Sequence, residues 1–539
     1  MSKKFLNYLV IKRIIFSFLL FVIIPFSVFS ASFNPNLLKR VSPESQGFDS
    51  QVLISMLEDI KDNDYEIHEI LIVKDNNIVF EQYFPPYNSD TLHAFKSVSK
   101  SIISLLVGIA ISEGKISLDT TVYEIFPEVF EGIKDVRKKE INLRHLLTMT
   151  PGFDLTDNDV ESDDKIIEYL ISSEWIKKYL EHPLTFNPGE KFRYFTPTTN
   201  LLTVMLSKKI GQDLGTYAFE KLFKPLGIEN LYWQRGPKGF LRGGSGIYST
   251  ILDMSKIVML LVNNGKYNGI QLIDTKWIEE STSNRIGEEY ANYGNQKDIK
   301  YGYQWWVPNK GSYMALGWGG QLIFVAPELK LFVIITGCDF FKSNLVERFV
   351  LPALKSYFWP LNDNKESYKK LIKLSEKLSS PIRSEIFLPE IAKYINEKKY
   401  LCTDGTENEI LKFELNYDSE GLEILTIFRT YKLKDKKNHT VKINVGLDGI
   451  YRKSKIKIED LYLEHNAKDF GQEIKELDFV SKGKWKDEKT LYIKNHQIGD
   501  AVFEEWTIVF ENNENIDVEI IYKPSSYKKS MKGKLINIK

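Results

Sequence analysis

Ser97-Val-Ser-Lys100 opens the apolar run Ile102-Ile-Ser-Leu-Leu-Val-Gly-Ile-Ala110, and together the two stretches indicate the fold. The run has the composition of a buried helix, on which residues three apart share one face. A serine in the first turn lies in the partial positive charge of the helix N-terminus, with the lysine amine beside its hydroxyl. Because a serine hydroxyl is a weak nucleophile at neutral pH, a hydrolase must supply a group that takes its proton. The stretch therefore predicts a nucleophile, Ser97, with a base beside it, Lys100.

The Ser-x-x-Lys spacing alone is not specific, because it recurs elsewhere in the chain, as at Ser367/Lys370 and Ser481/Lys484. Most of these repeats lie in charged, polar stretches that are typical of a solvated surface. None of them opens a long run of small and aliphatic residues. The context of Ser97 separates it from the other matches.

Two further elements follow in order. Pro188-Gly-Glu-Lys-Phe-Arg-Tyr194-Phe-Thr196 precedes the apolar run Leu201 to Leu206, which predicts a tyrosine on a loop held against a packed helix. A phenol in that position can transfer protons. Ala315-Leu-Gly-Trp318-Gly-Gly-Gln321-Leu-Ile-Phe-Val325 joins small residues to a β-rich run, as in a strand whose bare backbone lies beside a substrate. A backbone amide of that strand can complete an oxyanion hole.

With these motifs in this order, the chain resembles the serine β-lactamase and penicillin-binding-protein superfamily. The resemblance is to the branch with class C β-lactamases, related esterases and 6-aminohexanoate-dimer hydrolases, and it covers roughly Val41 to Phe358. It also takes in three more segments: Ile141-Asn-Leu-Arg-His-Leu-Leu-Thr-Met-Thr-Pro-Gly152, Gly243-Gly-Ser-Gly-Ile-Tyr-Ser-Thr250 with Asp253, and Tyr301-Gly-Tyr-Gln-Trp-Trp306. The implied fold is α+β, an antiparallel sheet flanked by helices with a helical lobe inserted.

The resemblance implies an acyl-enzyme mechanism. Ser97 would attack the carbonyl, and Lys100 and Tyr194 would handle its proton. The oxyanion would lie between the backbone amides of Ser97 and Gln321. Either a neutral lysine or a tyrosine held as phenolate can serve as the base, and both alternatives stay open.

Two departures from the family pattern bear on the substrate. Tyr194-Phe-Thr196 stands where the family has Tyr-x-Asn, so a hydroxyl replaces the side-chain amide that would contact an amide substrate or a β-lactam side chain. Trp318-Gly319-Gly320 stands where it has Lys-Thr-Gly, which removes the cation expected to hold a carboxylate. We expect Thr196, Trp318, Gly319 and Gly320 to contact an uncharged ester or amide rather than a β-lactam.

The histidines and cysteines give no metal-ligand pattern. His68, His93, His145 and His182 fit ordinary structural positions, and no His-x-x-x-His or Cys-x-x-Cys pair occurs. We therefore predict neither a metal nor a cofactor. The two cysteines, Cys338 and Cys402, fall on opposite sides of the predicted domain boundary, and no disulfide is predicted between them.

The amino terminus predicts export. Basic residues up to Arg13 precede an apolar run from Ile14, and small residues follow at acceptable cleavage positions, so residues 1–30 are interpreted as a signal peptide of a periplasmic or secreted protein. The alternative is an uncleaved membrane anchor, because the run reaches Phe29. Association with a membrane or cell wall stays open.

Length and composition predict more than one domain. Within 539 residues we assign 41–358 to the hydrolase-like domain, 359–380 to a lysine-rich helix or linker and 381–539 to a β-rich domain. The short alternating strands of the last region fit a sandwich or a lipocalin-like barrel, with no identified ligand. Equal totals of 72 basic and 72 acidic residues argue against a nucleic-acid partner.

Three functions are consistent with the sequence. The first is an exported serine hydrolase acting on a small-molecule ester, amide or peptide. The second is a penicillin-binding-protein-like D-amino-acid peptidase or β-lactamase, which predicts a cation near Trp318 supplied from elsewhere in the fold. The third is a non-catalytic binding protein on the same fold.

Overall fold

An eight-stranded sheet forms the centre of the hydrolase-like region, in the order β1-β3-β2-β13-β12-β11-β10-β9. The computed structural model describes residues 38–157, 174–236, 239–286, 299–309, 311–338, 344–417, 423–432, 437–457, 468–469, 472–473, 476–525 and 527–536. The strands up to β13 are β1 (Lys39–Arg40), β2 (Ile67–Lys74), β3 (Asn77–Tyr83), β4 (His93–Ala94), β5 (Leu231–Trp233), β6 (Ile247–Ser249), β7 (Lys266–Tyr267), β8 (Ile270–Gln271), β9 (Lys300–Tyr301), β10 (Trp306–Asn309), β11 (Ser312–Gly317), β12 (Gln321–Ala326) and β13 (Leu331–Gly337). The pairings in the large sheet are antiparallel except that of β1 with β3.

The central strands are apolar on both faces because the sheet separates two hydrophobic cores. Successive side chains of a strand point to opposite faces. Leu71 and Val73 of β2 accordingly pack in one core with Ile334 of β13, while Ile70 and Ile72 pack in the other. A sheet covered on both sides has strands that are apolar at nearly every position, which explains why β2 and β13 are buried along their whole length. The hairpins expected around 68–84 and 321–337 are confirmed.

Helices cover both faces of this sheet. The α-helices of the described residues are α1 (Ser50–Asp62), α2 (Val98–Ser112), α3 (Val122–Ile125), α4 (Leu143–Leu147), α5 (Trp175–Glu181), α6 (Thr196–Ile210), α7 (Leu214–Ala218), α8 (Ile251–Val262), α9 (Thr275–Ser281), α10 (Leu351–Ala353), α11 (Lys365–Ser379) and α12 (Glu390–Tyr394), the last of which packs in a separate core with the C-terminal strands. The first core contains α2, α6 and α8, and the second contains α1. This arrangement confirms the expected α+β fold with a helical lobe.

Helix α2 is buried along almost its full length and packs closely against α9. Trp277 of α9 donates its indole N–H to the carbonyl of Ser104, at 2.9 Å. Its ring occupies the space beside Gly108, so that a Cβ built on Gly108 would lie 2.1 Å from an indole carbon. Glycine is therefore required at this position for close approach of the ring, although it weakens a helix interior.

Residues from Lys399 onward form a β-barrel. Its strands are β14 (Lys399–Thr403), β15 (Asn408–Tyr417), β16 (Glu423–Lys432), β17 (Asn438–Gly446), β18 (Arg452–Lys457), β21 (Glu476–Trp485), β22 (Thr490–Gln497), β23 (Phe503–Phe510), β24 (Asn515–Lys523) and β25 (Tyr527–Leu535), with β19 (Lys468–Asp469) and β20 (Gln472–Glu473) paired apart from them. A parallel pairing of β17 with β21 closes the sheet. Rings of Tyr400, Phe413, Trp485 and Phe510 fill its interior. The all-β prediction is confirmed, and of the two predicted forms the closed barrel is the one observed.

The segment between the two regions contains helix α11 rather than an extended linker. Leu371 of α11 is buried in the core that also contains α1, and Ser379 accepts a hydrogen bond from the side chain of Gln82 at 2.8 Å. Residues 38–539 cluster as one compact unit, so the domain boundaries at 358 and 381 stay predictions. Cys338 and Cys402 are both buried, and they form no disulfide with each other.

The predicted signal peptide or anchor, residues 1–30, lies outside the described residues. Within the part of the chain that the structure does describe, none of the helices has the length and apolar character needed to span a bilayer.

Substituting Gly108 by alanine tests the packing of α2 against α9. Alanine favours the helix by about 1 kcal/mol, but forcing a methyl into the indole costs about 1–3 kcal/mol. We expect Gly108→Ala to lower the free energy of unfolding, measured by urea titration. In a Trp277→Leu background the same change should be neutral or stabilising, since the ring is gone. A higher urea midpoint for the single Gly108→Ala variant would contradict the packing described here.

Candidate active site

Ser97 is the N-cap residue of α2, and its side chain makes no capping hydrogen bond to the helix backbone. Its hydroxyl is therefore available to interact with other side chains of the site. The preceding residue, Lys96, has a φ of 50°, in the left-handed region that non-glycine residues rarely adopt. Ser99 fixes this turn, because its amide and its hydroxyl both donate to the carbonyl of Lys96, at 3.0 and 2.7 Å. Strained backbone of this kind is concentrated at functional sites, and here it sets the direction of the Ser97 side chain.

The amine of Lys100 lies in a cage of three oxygen atoms. Its Nζ is 2.7 Å from Ser97 Oγ, 3.0 Å from Thr196 Oγ1 and 2.7 Å from the carbonyl oxygen of Gly244. The side chain is only 1% exposed. Gly244 can approach because it has no Cβ: one built there would lie 2.7 Å from a carbon of Thr196. The predicted Gly243–Thr250 segment thus reaches the site through a backbone carbonyl.

The donors and acceptors around Lys100 determine where its lone pair points when the amine is neutral. The carbonyl of Gly244 only accepts. The Thr196 hydroxyl donates to Asp157 Oδ2 at 2.7 Å, so it must accept from Lys100. A neutral amine has two N–H groups, and these two acceptors use both. Its lone pair then faces Ser97 Oγ, in position to receive the proton of the serine hydroxyl.

Burial favours this neutral form. It lowers the pKa of Lys100 to about 8, and the carboxylate of Asp157 opposes the shift by favouring the charged amine. Asp157 itself is held by the chain, since it accepts from the amide of Thr196 at 2.8 Å and donates its own amide to the carbonyl of Tyr194 at 3.0 Å. The structure thus brings the predicted pair Ser97 and Lys100 together, and Thr196 connects Lys100 to Asp157.

Tyr194 lies in the loop before α6, as predicted, and its hydroxyl interacts with Ser97. Burial raises its pKa well above the usual range, and the Asp157 carboxylate raises it further, so the side chain is a neutral phenol. Lys100 Nζ lies 4.9 Å from the centroid of its ring. Trp306 and Tyr301 pack on the same ring at 5.2 and 6.2 Å, which accounts for two residues of the predicted 301–306 motif.

Gln304 holds the elements of the site together. It is buried with a φ of 65°, and its side-chain amide donates to the carbonyls of Leu146 and Leu147, at 3.1 and 2.9 Å. Its Oε1 accepts from Thr199, one turn beyond Thr196, and its carbonyl accepts from Ser101, one turn beyond Ser97. One residue therefore ties α4, α6 and α2 together beneath the serine and the lysine.

The strand predicted to lie beside the substrate reaches the site at the end of β11. A Cβ built on Gly317 would lie 2.4 Å from the carbonyl oxygen of Phe95, so the strand lies directly against the turn before Ser97. Trp318 follows with 49% of its surface exposed. The side chain of Gln321 is buried and donates to the carbonyls of Trp318 and Gly337 at 3.2 and 2.8 Å. The oxyanion role of the Gln321 amide and the substrate contacts of Thr196 and Trp318 stay predictions.

A loop of the barrel, residues 498–502, lies against these residues. Its Asp500 forms an ion pair with Lys96 at 2.5 Å and accepts from the hydroxyl of Tyr248 at 3.3 Å. Its Gly499 accepts from the amide of Ala94 at 2.7 Å. A Cβ built on Gly319 would lie 2.7 Å from that of Ala501, so Gly319 is covered by the barrel. The loop between β22 and β23 is thus part of the wall of the site.

Four groups of this site were not predicted from the sequence: Asp157, Gln304, Lys96 and Asp500. Gln304 stands within the quoted Tyr301–Trp306 motif, where a single amide among aromatic side chains is the available signal. Asp157 follows the quoted segment that ends at Gly152, but its partner Thr196 is 39 residues away. No local pattern marks Asp500 as a neighbour of Lys96.

The Beta-lactamase family model matches residues 68–339, just over half of the chain. A protein of Salmonella typhimurium with the name "Putative D-alanyl-D-alanine carboxypeptidase" is 22% identical over 391 residues, covering 59% of this chain and 89% of that protein.

Two solved structures are similar at low identity. The octameric penicillin-binding protein homologue from Pyrococcus abyssi has 16% identity and a TM-score of 0.47, covering 90% of this chain and 99% of that one. EstCE1, described as a hydrolase with promiscuous acyltransferase activity, has 18% identity and a TM-score of 0.46, covering 57% of this chain and 99% of that one.

Removing the Asp500 carboxylate tests the contribution of the barrel to the site. Without its partner, Lys96 no longer fixes the loop or the turn that aims Ser97. Because small misplacements of reacting groups cost up to about 100-fold in rate, we expect Asp500→Ala to slow labelling of Ser97 by a fluorophosphonate about 10- to 100-fold.

The matched control is Asp517→Ala, on β24 of the same barrel, which should label at the wild-type rate. Equal labelling rates for Asp500→Ala and the wild type would show that the loop does not shape the site.

Proposed function

The chain belongs to the Beta-lactamase family, and from that membership and the geometry around Ser97 we propose that it is an exported serine hydrolase that cleaves an uncharged ester or amide through an acyl-enzyme. The hydrolase class follows from the family. The serine mechanism, the substrate class and export are the parts that we propose. Export rests on the basic and apolar pattern of residues 1–30.

The observation that carries the proposal is the position of the Lys100 amine, 2.7 Å from Ser97 Oγ, with its other hydrogen bonds directed at groups that accept. In the proposed reaction Ser97 Oγ bonds to the substrate carbonyl carbon and its proton passes to Lys100 Nζ. The carbonyl electron pair moves to the oxygen, which backbone amides stabilise. The pair then returns, the bond to the leaving group breaks, and the leaving group takes up the proton from Lys100, which makes the amine neutral again.

The same groups support deacylation. Water attacks the acyl-enzyme, its proton passes to the neutral amine, and Ser97 Oγ departs with a proton to release the acid. We propose that Tyr194, which lies beside Ser97, relays the proton from Lys100 to the leaving group. Between the two candidate bases, the lowered pKa of Lys100 and the raised pKa of Tyr194 favour the lysine as the base, with the tyrosine as a neutral phenol.

The surroundings of the site support an uncharged substrate. The Thr196 hydroxyl is engaged with Asp157 and Lys100, so it holds the base in place. The exposed ring of Trp318 offers an apolar wall. Lys96, the cation beside it, is paired with Asp500, which reduces its attraction for a substrate carboxylate.

A second candidate function is hydrolysis of a D-amino-acid peptide. It is favoured by the position of Lys96 Nζ, 5.8 Å from the centroid of the Trp318 ring, because a cation near Trp318 is what a peptide carboxylate requires. It is also in line with the name of the Salmonella relative. We rank this function second because Lys96 is already paired with Asp500 and attracts a peptide carboxylate less.

The test uses the purified mature protein with a fluorophosphonate, a fluorescent penicillin and a short-chain p-nitrophenyl ester. Labelling is followed by intact mass and turnover by absorbance. We expect the wild type to be labelled once and to turn over the ester, and Ser97→Ala to lose both, because the bond-forming oxygen is gone. Ser112→Ala, at the far end of the same helix, is the matched control and should behave like the wild type.

The outcomes separate the candidate functions. Labelling of Ser97 by penicillin would favour the peptidase function over the esterase function. A wild-type protein with neither labelling nor turnover would overturn the hydrolase in favour of a binding protein. Ester turnover that persists in Ser97→Ala would eliminate Ser97 as the nucleophile.

The pH dependence of ester hydrolysis tests the role of Lys100. Because the amine accepts a proton only when neutral, kcat/KM should rise with pH through about 8. Asp157→Asn removes the carboxylate that favours the charged amine, so the rising limb should move to lower pH. A limb that stays in place or moves to higher pH would contradict the assignment of Lys100 as the base.

A further inference from the structure

Three histidines lie together where β2 meets the barrel, away from the serine and the lysine. His68 and His93 belong to β2 and β4, and His496 belongs to β22 of the barrel. The ring centroid of His68 is 5.1 Å from that of His93 and 6.1 Å from that of His496. All three are buried, with His68 1% and His496 0% exposed. The proposed hydrolase mechanism uses none of them.

The hydrogen bonds fix the tautomer of His68. His93 Nδ1 lies 3.1 Å from the carbonyl of Ala94, which only accepts, so His93 carries its proton on Nδ1. Its Nε2 must then accept, and it lies 2.8 Å from His68 Nδ1. His68 therefore has its proton on Nδ1 and a lone pair on Nε2. Among the described residues this buried Nε2 has no hydrogen-bond partner.

Glu66 and His496 face the same space. A carboxylate oxygen of Glu66, one nitrogen of His68 and one of His496 lie within 4.8 Å of one another. Glu66 Oε1 is 3.6 Å from His496 Nε2. His496 Nδ1 and the hydroxyl of Tyr87, which stacks on His68 at 3.9 Å, are also buried without a partner in the described chain. Buried polar atoms are normally hydrogen-bonded, so several without partners in one cluster indicate a missing ligand.

We propose that Glu66, His68 and His496 bind a divalent transition-metal ion, with Zn²⁺ as the best fit. Two imidazoles and one carboxylate form a donor set found in zinc sites, and the two nitrogen ligands disfavour Ca²⁺ and Mg²⁺, which prefer oxygen. A metal-bound histidine usually donates its other ring N–H to an acceptor that fixes its orientation. His68 does this through His93 to the carbonyl of Ala94.

Charge and distance agree with this donor set. The tautomer of His68 leaves a lone pair on Nε2, which a metal ligand must have. Lys494 donates to Glu66 Oε2 at 2.9 Å and leaves Oε1 on the side of His496. Ligand atoms of a tetrahedral zinc site lie about 3.3 Å apart, whereas these lie within 4.8 Å of one another, so the side chains must close in by up to about 1.5 Å.

The site would join the two regions of the chain. Glu66 and His68 come from the hydrolase-like region and His496 from the barrel strand that leads into the loop 498–502. A bound metal would therefore hold that loop against Lys96 and Gly319. The metal centre stands apart from the proposed hydrolase chemistry, because its ligands do not touch Ser97 or Lys100.

The test measures zinc rather than activity. The purified mature protein is stripped with EDTA, desalted, incubated with ZnCl₂ and passed through gel filtration, and the retained zinc is counted by mass spectrometry. We expect one equivalent per chain and a rise of about 2–4 °C in the thermal midpoint on adding Zn²⁺. Co²⁺ in the same site should give visible d–d absorption typical of four-coordinate cobalt.

His496→Gln and His68→Gln should each lose the retained zinc and the zinc-dependent shift, with each variant compared with its own stripped form. His439→Gln, on β17 of the same barrel, is the matched control and should retain one equivalent. Retention of no zinc by the wild type would overturn the site and leave ordered water as the occupant. Equal retention by wild type and His496→Gln would place any bound zinc elsewhere.

Discussion

The burial of one amine constrains the whole site. Lys100 is a helical residue in an apolar core, and a buried amine is stable only when its hydrogen bonds are satisfied. The chain satisfies it with the hydroxyl of Thr196, one backbone carbonyl and the hydroxyl of Ser97, the proposed nucleophile. Each acceptor comes from a different element, so the amine can be buried only when α2, α6 and the glycine-rich segment before β6 are in place. The same burial lowers its pKa, which suits the proposed role of base.

The rest of the fold keeps these elements in register. Gln304 links α4, α6 and α2 from below: its side-chain amide donates to α4 and accepts from α6, and its backbone carbonyl accepts from Ser101 of α2. The sheet separates two cores, and α2 fills one of them so closely that it requires a glycine opposite Trp277. The barrel closes the site from the other side through Asp500. The geometry around Ser97 thus depends on contacts between distant parts of the chain, such as the ion pair of Lys96 with Asp500.

Much of this could be read from the sequence, because the motifs are local. Ser97 and Lys100 are one helical turn apart, Tyr194 precedes an apolar helix, and the apolar runs of β12 and β13 are visible in the order of residues. The all-β character of the C-terminal region was also visible, but the closure of its sheet was not, since the parallel pairing of β17 with β21 joins distant segments.

Contacts between distant segments were not predictable. Thr196 was expected at the substrate, but the structure places its hydroxyl between Lys100 and Asp157, a partner that no spacing rule identifies. The histidines were interpreted singly as structural because the sequence has no His-x-x-x-His or Cys-x-x-Cys pair, whereas His496 joins Glu66 and His68 only when the barrel packs on β2. A local sequence pattern predicts a single helix or strand. The contacts between two elements depend on residues of both, so no local pattern predicts them.

The central claim is that the amine of Lys100 is neutral at mildly alkaline pH, and the direct measurement is its titration by NMR. The mature protein is prepared with ¹³Cε-labelled lysine, and the Lys100 signal is assigned by its loss in Lys100→Arg. We expect this signal to titrate with a pKa of about 8, apart from the surface lysines. Titration near 10.5, the ordinary pKa of a lysine side chain, would mean that Lys100 is charged in the working protein, and it would contradict its role as the base.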